Sequence, residues 1–259
     1  MAKLKIGVML ESFRKPLREA LDLAVAVGAS GCQIYVTSGE MHPDAMGPRQ
    51  REEFRELVVS KGLEISALCG EMGGYTDPRR TEEFVTATKA FMDLAVDLGP
   101  RILTAHIGAV GDSPANPAWR AVASVLEQVG QHGDEIGCVF ACETGMEEPE
   151  LLRGFIESLD THSIRINYDP ANLVMAGYDP IGGLKHLGDL VVHTHAKDGV
   201  RGRDGRVEEV ALGKGQVPFA EYVAGLRAVG YDGYYTIERE VGDDPMADIE
   251  MAASYLASL

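Results

Sequence analysis

Short apolar runs alternate with longer segments of helical period along the whole chain. Lys3–Leu10, Gly31–Val36, Glu64–Cys69, Arg101–His106, Cys138–Glu143, Ser163–Asp169, Leu190–Lys197 and Gly233–Glu238 read as strands, largely apolar and bounded by glycine or polar residues. Helical periodicity covers Pro16–Val27, Pro48–Lys61, Thr81–Leu98, Pro117–Ile136, Pro149–Leu159, Pro218–Val229 and Asp244–Ala257, with shorter pieces at Ala171–Met175 and Pro180–Leu187. Proline opens several of these, Gly28 and Gly62 follow two of them, and Thr81 with Glu82 and Glu83 makes a charged, capped helix start.

Strands separated by helices must lie parallel. Strand-then-helix units in strict alternation over 259 residues fit an α/β chain closed into a (β/α)8 TIM barrel, which typically takes about 250 residues. Residues 1–259 are therefore expected to form a single barrel domain. A doubly wound open sheet is the alternative, but it would normally carry a glycine-rich dinucleotide turn. Gly213-Lys214-Gly215 lacks a third glycine in register and falls late in the chain.

A parallel barrel builds its active site from the C-terminal strand ends. Leu190–Val200 shows such an end most clearly, because an apolar run turns there into His-Thr-His-Ala-Lys-Asp. Alternation puts Val191, His193, His195 and Lys197 on one face. The neighbouring strands end in Glu143, Asp169 and Glu238. Adjacent strands lie about 4.8 Å apart, so these three carboxylates and the His195 imidazole can meet at one point. Such a group repels itself unless a cation sits within it. One divalent ion held by Glu143, Asp169, His195 and Glu238 is the expectation, and the donor types suit Mn²⁺, Mg²⁺, Co²⁺ or Zn²⁺.

Taken singly, each residue has a plainer use. Asp169 before Pro170 would cap a turn, Glu143 would do the same, His195 would be a core histidine, and Glu238 would pair with Arg239. Glu240 lies further out than Glu238, and His193 deeper than His195. His106 and Glu71, at the ends of other strands, are candidate lining residues, as are Tyr75 and Trp119, for which packing is the default.

A formal charge of −16 argues against a nucleic-acid partner, which needs basic surface, and favours a small polar substrate. No stretch reaches the roughly 18 apolar residues of a membrane span. The N-terminus enters a strand without a signal-peptide pattern. Four cysteines occur without a Cys-x-x-Cys pair, and Cys138 and Cys142 would stand about 13 Å apart on one strand at roughly 3.3 Å per residue. A reduced, cytoplasmic protein is the expectation.

With these residues in place the chain resembles the xylose isomerase-like TIM barrels, the sugar phosphate isomerase/epimerase family. The resemblance is most specific in Cys-Glu-Thr-Gly at Glu143, Tyr-Asp-Pro-Ala-Asn at Asp169, His-Ala-Lys-Asp at His195 and Thr-Ile-Glu-Arg-Glu at Glu238. It implies that these four bind a divalent metal, and that Arg201 contacts substrate as an arginine does in the ketose 3-epimerases. Many relatives have a histidine three residues after the metal-binding aspartate. Here that position is Asn172, a candidate substrate contact.

The chemistry implied is proton transfer α to a carbonyl of a sugar or sugar phosphate through an enediolate, with Glu143 and Glu238 as the acid/base pair. Two bases on opposite faces give epimerisation, one base moving a proton between carbons gives isomerisation, and loss of a β-hydroxyl gives dehydration, as in the inosose dehydratases. A barrel kept as a sugar-binding or regulatory module is the non-enzymatic alternative, and a homo-oligomer remains open. Endonuclease IV shares the fold, but its trinuclear site needs further His and Asp ligands that this chain lacks. Lys214 between glycines is either an anion contact with backbone N–H support or a solvated turn.

Overall fold

A computed structural model of the chain describes residues 3–145 and 147–259. Eight parallel strands close into a barrel: β1 (Lys5–Met9), β2 (Gly31–Tyr35), β3 (Glu64–Cys69), β4 (Ile102–Ala105), β5 (Val139–Glu143), β6 (Ile164–Tyr168), β7 (Val191–Ala196) and, after a hairpin described below, β10 (Tyr234–Ile237), which pairs with both β7 and β1. The expected (β/α)8 fold is the fold observed.

Helices α1 (Leu17–Ala26), α2 (Pro48–Ser60), α3 (Thr81–Leu98), α4 (Pro117–Ile136), α5 (Pro149–Glu157), α6 (Pro170–Ala176), α7 (Leu184–Leu187), α8 (Phe219–Ala228) and α9 (Pro245–Ala257) follow the strands. α4 shows why the sequence folds this way. Pro117 fits its first turn, the Asn116 side chain accepts the Ala118 N–H, and Gly137 ends it in the left-handed region. Ala121, Val122, Val125, Leu126 and Val129 recur at helical spacing and bury one face.

The strand register stacks polar residues in two layers at the barrel's C-terminal end. Glu143 stands opposite Asn167, Asn167 opposite His193, and His195 opposite Thr236. Asp169 and Glu238 follow just after the ends of β6 and β10.

Two expectations need correction. Pro180–Leu187 is helical only over Leu184–Leu187, because Gly182 and Gly183 are poor helix formers. The connection after β7 also holds an antiparallel hairpin, β8 (Asp198–Arg201) with β9 (Val207–Val210), where the sequence reads as loop. Its turn places Gly205 at φ +83°, and the Gly202 N–H donates to the Arg206 carbonyl at 2.8 Å. All four cysteines are buried and none forms a disulfide. Among the described residues no helix is long and apolar enough to cross a membrane.

Candidate metal centre

Glu143, Asp169, His195 and Glu238 are all buried, and one ligand atom from each lies within 4.8 Å of the others. The imidazole Nδ1 of His195 is 3.2 Å from Glu238 Oε2, 3.5 Å from Glu143 Oε1 and 3.6 Å from Asp169 Oδ2. Yet neither His195 Nδ1 nor Asp169 Oδ2 has an aligned hydrogen-bond partner among the described residues. Two buried polar atoms that face each other without partners are costly. A cation among the four satisfies both, so the donor set fits a divalent ion.

The other polar atoms of His195, Asp169 and Glu143 are tied down. Nε2 of His195 meets the Gln33 amide oxygen at 3.0 Å, which makes Nε2 an N–H donor and turns Nδ1 toward the carboxylates. Gln33 Nε2 donates in turn to Thr104 Oγ1 at 2.7 Å. Asp169 is both cap and candidate ligand, because Oδ1 accepts the Asn172 N–H at 2.9 Å while Oδ2 faces the cluster. Glu143 receives Asn172 Nδ2 on Oε1 at 3.0 Å and Asn167 Nδ2 on Oε2 at 3.1 Å. The close approach of Asn172 requires the loop after β5 to have no side chain at Gly145, where a Cβ would strike Asn172.

Below this layer His193 is a satisfied core residue. Its Nδ1 donates to Asn167 Oδ1 at 2.9 Å and its Nε2 accepts from Thr236 Oγ1 at 3.1 Å. Burial, with His195 alongside, holds it neutral. The same Asn167 that anchors His193 also anchors Glu143, so the lower layer positions the upper one.

Lys197, left without a role by its sequence, is 3% exposed and lies beside the cluster. It donates to Glu238 Oε2 at 3.0 Å and to Glu240, and it is 3.8 Å from Asp169 Oδ2. Burial opposes its charge, but Glu238, Asp169 and Glu143 outweigh that and keep it an ammonium. Glu238 is pulled the other way: burial alone would raise it, and His195 and Lys197 hold it ionised well below the usual carboxylate range. Arg239 does not pair with Glu238. It turns to Glu209 at 2.7 Å and Asp248 at 2.8 Å.

The other candidates divide. His106 Nδ1 is 2.9 Å from Glu71 Oε2, and its Nε2 is 3.3 Å from Glu143 Oε1, so a carboxylate–imidazole–carboxylate chain runs into the cluster. Burial opposes a charge on His106, but Glu143 and Glu71 push it up to about 9. Arg201 is exposed on β8 and donates to the Met175 carbonyl at the end of α6 at 2.6 Å. The Lys214 turn is structural, because the Gly213 and Gly215 N–H groups donate to Asp198 Oδ2 at 2.9 and 2.8 Å. Asp198 Oδ1 takes the Gly199 and Val217 N–H groups as well. Tyr75 packs against Phe84 and Phe140, and Trp119 edges onto Phe155.

Gln33, Asn167 and Lys197 escaped the sequence reading. Each is polar within a strand-like run, and Gln33 in Gly-Cys-Gln-Ile-Tyr was the clearest such signal.

A family model described as xylose isomerase-like TIM barrel matches residues 21–259. An uncharacterized protein of Methanocaldococcus jannaschii is 29% identical over 62% of this chain, which spans 58% of that protein's length. An inosose dehydratase of Geobacillus thermodenitrificans is 22% identical over 85% of this chain and 80% of its own. Among solved structures, a xylose isomerase domain protein from Planctomyces limnophilus superposes with a TM-score of 0.84 at 24% identity, covering 99% of this chain and 96% of that one.

Proposed function

The chain belongs to the xylose isomerase-like TIM-barrel family, and from that premise we propose that it is a divalent-metal-dependent sugar isomerase or epimerase. The observation that carries this reading is the pair of unpartnered buried atoms, Asp169 Oδ2 and His195 Nδ1, between Glu143 and Glu238. When bound there, a divalent cation supplies a Lewis acid that favours enediolate formation in a hydroxy-carbonyl substrate.

The chain's own groups then move the proton. Glu143 and Glu238 reach the cluster from β5 and from the end of β10, with β6 and β7 between them, so they approach a substrate from different sides. Glu143 is oriented by Asn167 and Asn172, and Glu238 is held ionised beside Lys197. One glutamate, entering as the carboxylate, takes the proton α to the carbonyl, and the other, entering as the carboxylic acid, gives its own proton to the opposite face, which inverts that carbon. Return by the same group to the neighbouring carbon gives isomerisation.

His106 supports a second reading, that of a dehydratase. It points at Glu143, is backed by Glu71, and holds its proton up to about 9, so it can protonate a departing β-hydroxyl, a step that epimerisation does not need. A sugar-binding module without catalysis is the third. Incubating metal-loaded protein with ketoses, their phosphates and inososes in D₂O separates them. Deuterium at the α carbon without loss of water supports the isomerase reading, elimination moves it to the dehydratase, and binding without exchange or elimination overturns both.

A further inference from the structure

A hollow of about 460 Å³ opens beside Glu238 at the ends of β1, β2 and β10. Glu11, Tyr35, Thr37, Ser38 and Glu240 line it, with Arg14 and Arg239 at its edge. We propose that this hollow binds the non-reacting part of the substrate, that it takes an uncharged, polyhydroxylated group rather than a phosphate ester, and that Glu11 selects for it. The proposal rests on the carbohydrate reading above and narrows it.

The cations around the hollow are committed. Arg239 is paired with Glu209 and Asp248. Lys15, beside a smaller hollow that shares Glu11, Tyr35 and Ser38, pairs with Glu19 at 3.2 Å. Arg14 gives Nη1 to the Gly242 carbonyl and Nη2 to the Glu240 carbonyl, both at 2.9 Å, and so straps the β10 loop to the β1 loop. Lys197 is shared between Glu238 and Glu240. A phosphate would therefore meet Glu11 and Glu240 without a free ammonium or a fork of guanidinium donors, the groups that recognise it.

Hydroxyl groups meet what they need. Glu11 anchors one oxygen on the Tyr35 N–H at 3.0 Å, and its carboxylate lines the hollow. Thr37 and Ser38 add hydroxyls that both donate and accept. Burial, with Cys69, Glu238 and Glu143 nearby, keeps the Tyr35 phenol a neutral donor. A carboxylate between hydroxyl donors is a recognition set for sugar hydroxyls, and the volume lies within the range of small-molecule sites.

The test is calorimetric binding to the metal-loaded full chain, wild type and Glu11→Gln, using D-fructose, D-ribulose and 2-keto-myo-inositol beside D-fructose 6-phosphate and D-ribulose 5-phosphate. The neutral compounds are expected to bind better than the esters by at least about ten-fold, and Glu11→Gln should weaken the neutral ligand by about the same factor. Ser38→Ala, which leaves the Tyr35 anchor intact, should weaken neutral ligands in the same direction. Tighter binding of an ester, no binding of any neutral member, or neutral binding indifferent to both substitutions overturns the proposal. Because the readout is binding, the two readings fail separately. Sensitive neutral binding without deuterium exchange or elimination leaves the hollow standing and removes the chemistry. Exchange confined to esters does the reverse.

Discussion

The Gln33 amide oxygen sits 3.0 Å from His195 Nε2 and so determines which nitrogen of that imidazole faces the carboxylates. Groups one step behind a ligand typically affect metal affinity by about 10- to 100-fold. Gln33→Leu removes the acceptor and leaves a buried N–H without a partner. Competition against a chelator is expected to show weaker metal binding by about that factor, with the barrel still folded by circular dichroism. Unchanged affinity would mean that His195 is oriented by something else.

Lys197 is a buried cation among Glu238, Glu240 and Asp169. Lys197→Met strands those carboxylates, and removing one partner of a buried pair costs about 3–5 kcal/mol. Chemical denaturation of the metal-free variant should show a loss of that order. Added Mn²⁺ should recover part of it, because the ion offsets the same negative charge. An equal loss with and without metal would separate Lys197 from the centre.

Asp198 holds the strap after the hairpin through four backbone N–H groups, those of Gly199, Gly213, Gly215 and Val217. Gly215 has no room for a Cβ there, since one would meet the Asp198 carboxylate. Asp198→Ala should destabilise this segment by about 2 kcal/mol or more. Hydrogen exchange should quicken at Gly213, Gly215 and Val217 while the barrel strands keep their protection.

How much of this was readable beforehand follows from what each residue faces. The barrel strands are buried on both sides, so they stand out as apolar runs, and each ligand candidate interrupts or follows such a run at its end. Glu143, Asp169, His195 and Glu238 could therefore be placed from order alone. The hairpin could not: Val207-Glu-Glu-Val is half exposed and too short to show a period. Arg201 was placed by resemblance, and its partner, the Met175 carbonyl, carries no side-chain signal. Lys197 looked exposed by residue type, because only the tertiary fold assembles the four carboxylates that make its burial tolerable.

His106 gives a pH dependence with a definite sign. Its proton is held up to about 9 in the folded protein against an ordinary 6.5, with burial opposing and Glu143 and Glu71 prevailing. A raised folded pKa stabilises fully below about 6.5, and that contribution is lost as pH rises through about 9. Denaturation midpoints of metal-free protein should fall across that window, and less steeply in His106→Asn. Parallel curves for the two proteins would show that the Glu71–His106–Glu143 chain holds no extra proton.

The central claim is that Glu143, Asp169, His195 and Glu238 hold a divalent ion, and metal titration of chelator-stripped protein tests it most directly. Mn²⁺, Mg²⁺, Co²⁺ and Zn²⁺ would be titrated into wild type and Asp169→Asn by calorimetry, in buffers of different ionisation enthalpy. The expected result is about one ion per chain, proton release as His195 becomes a ligand, and affinity at least about 100-fold weaker in Asp169→Asn. Wild-type protein that takes up none of these ions, or a variant that binds as tightly as wild type, would contradict it.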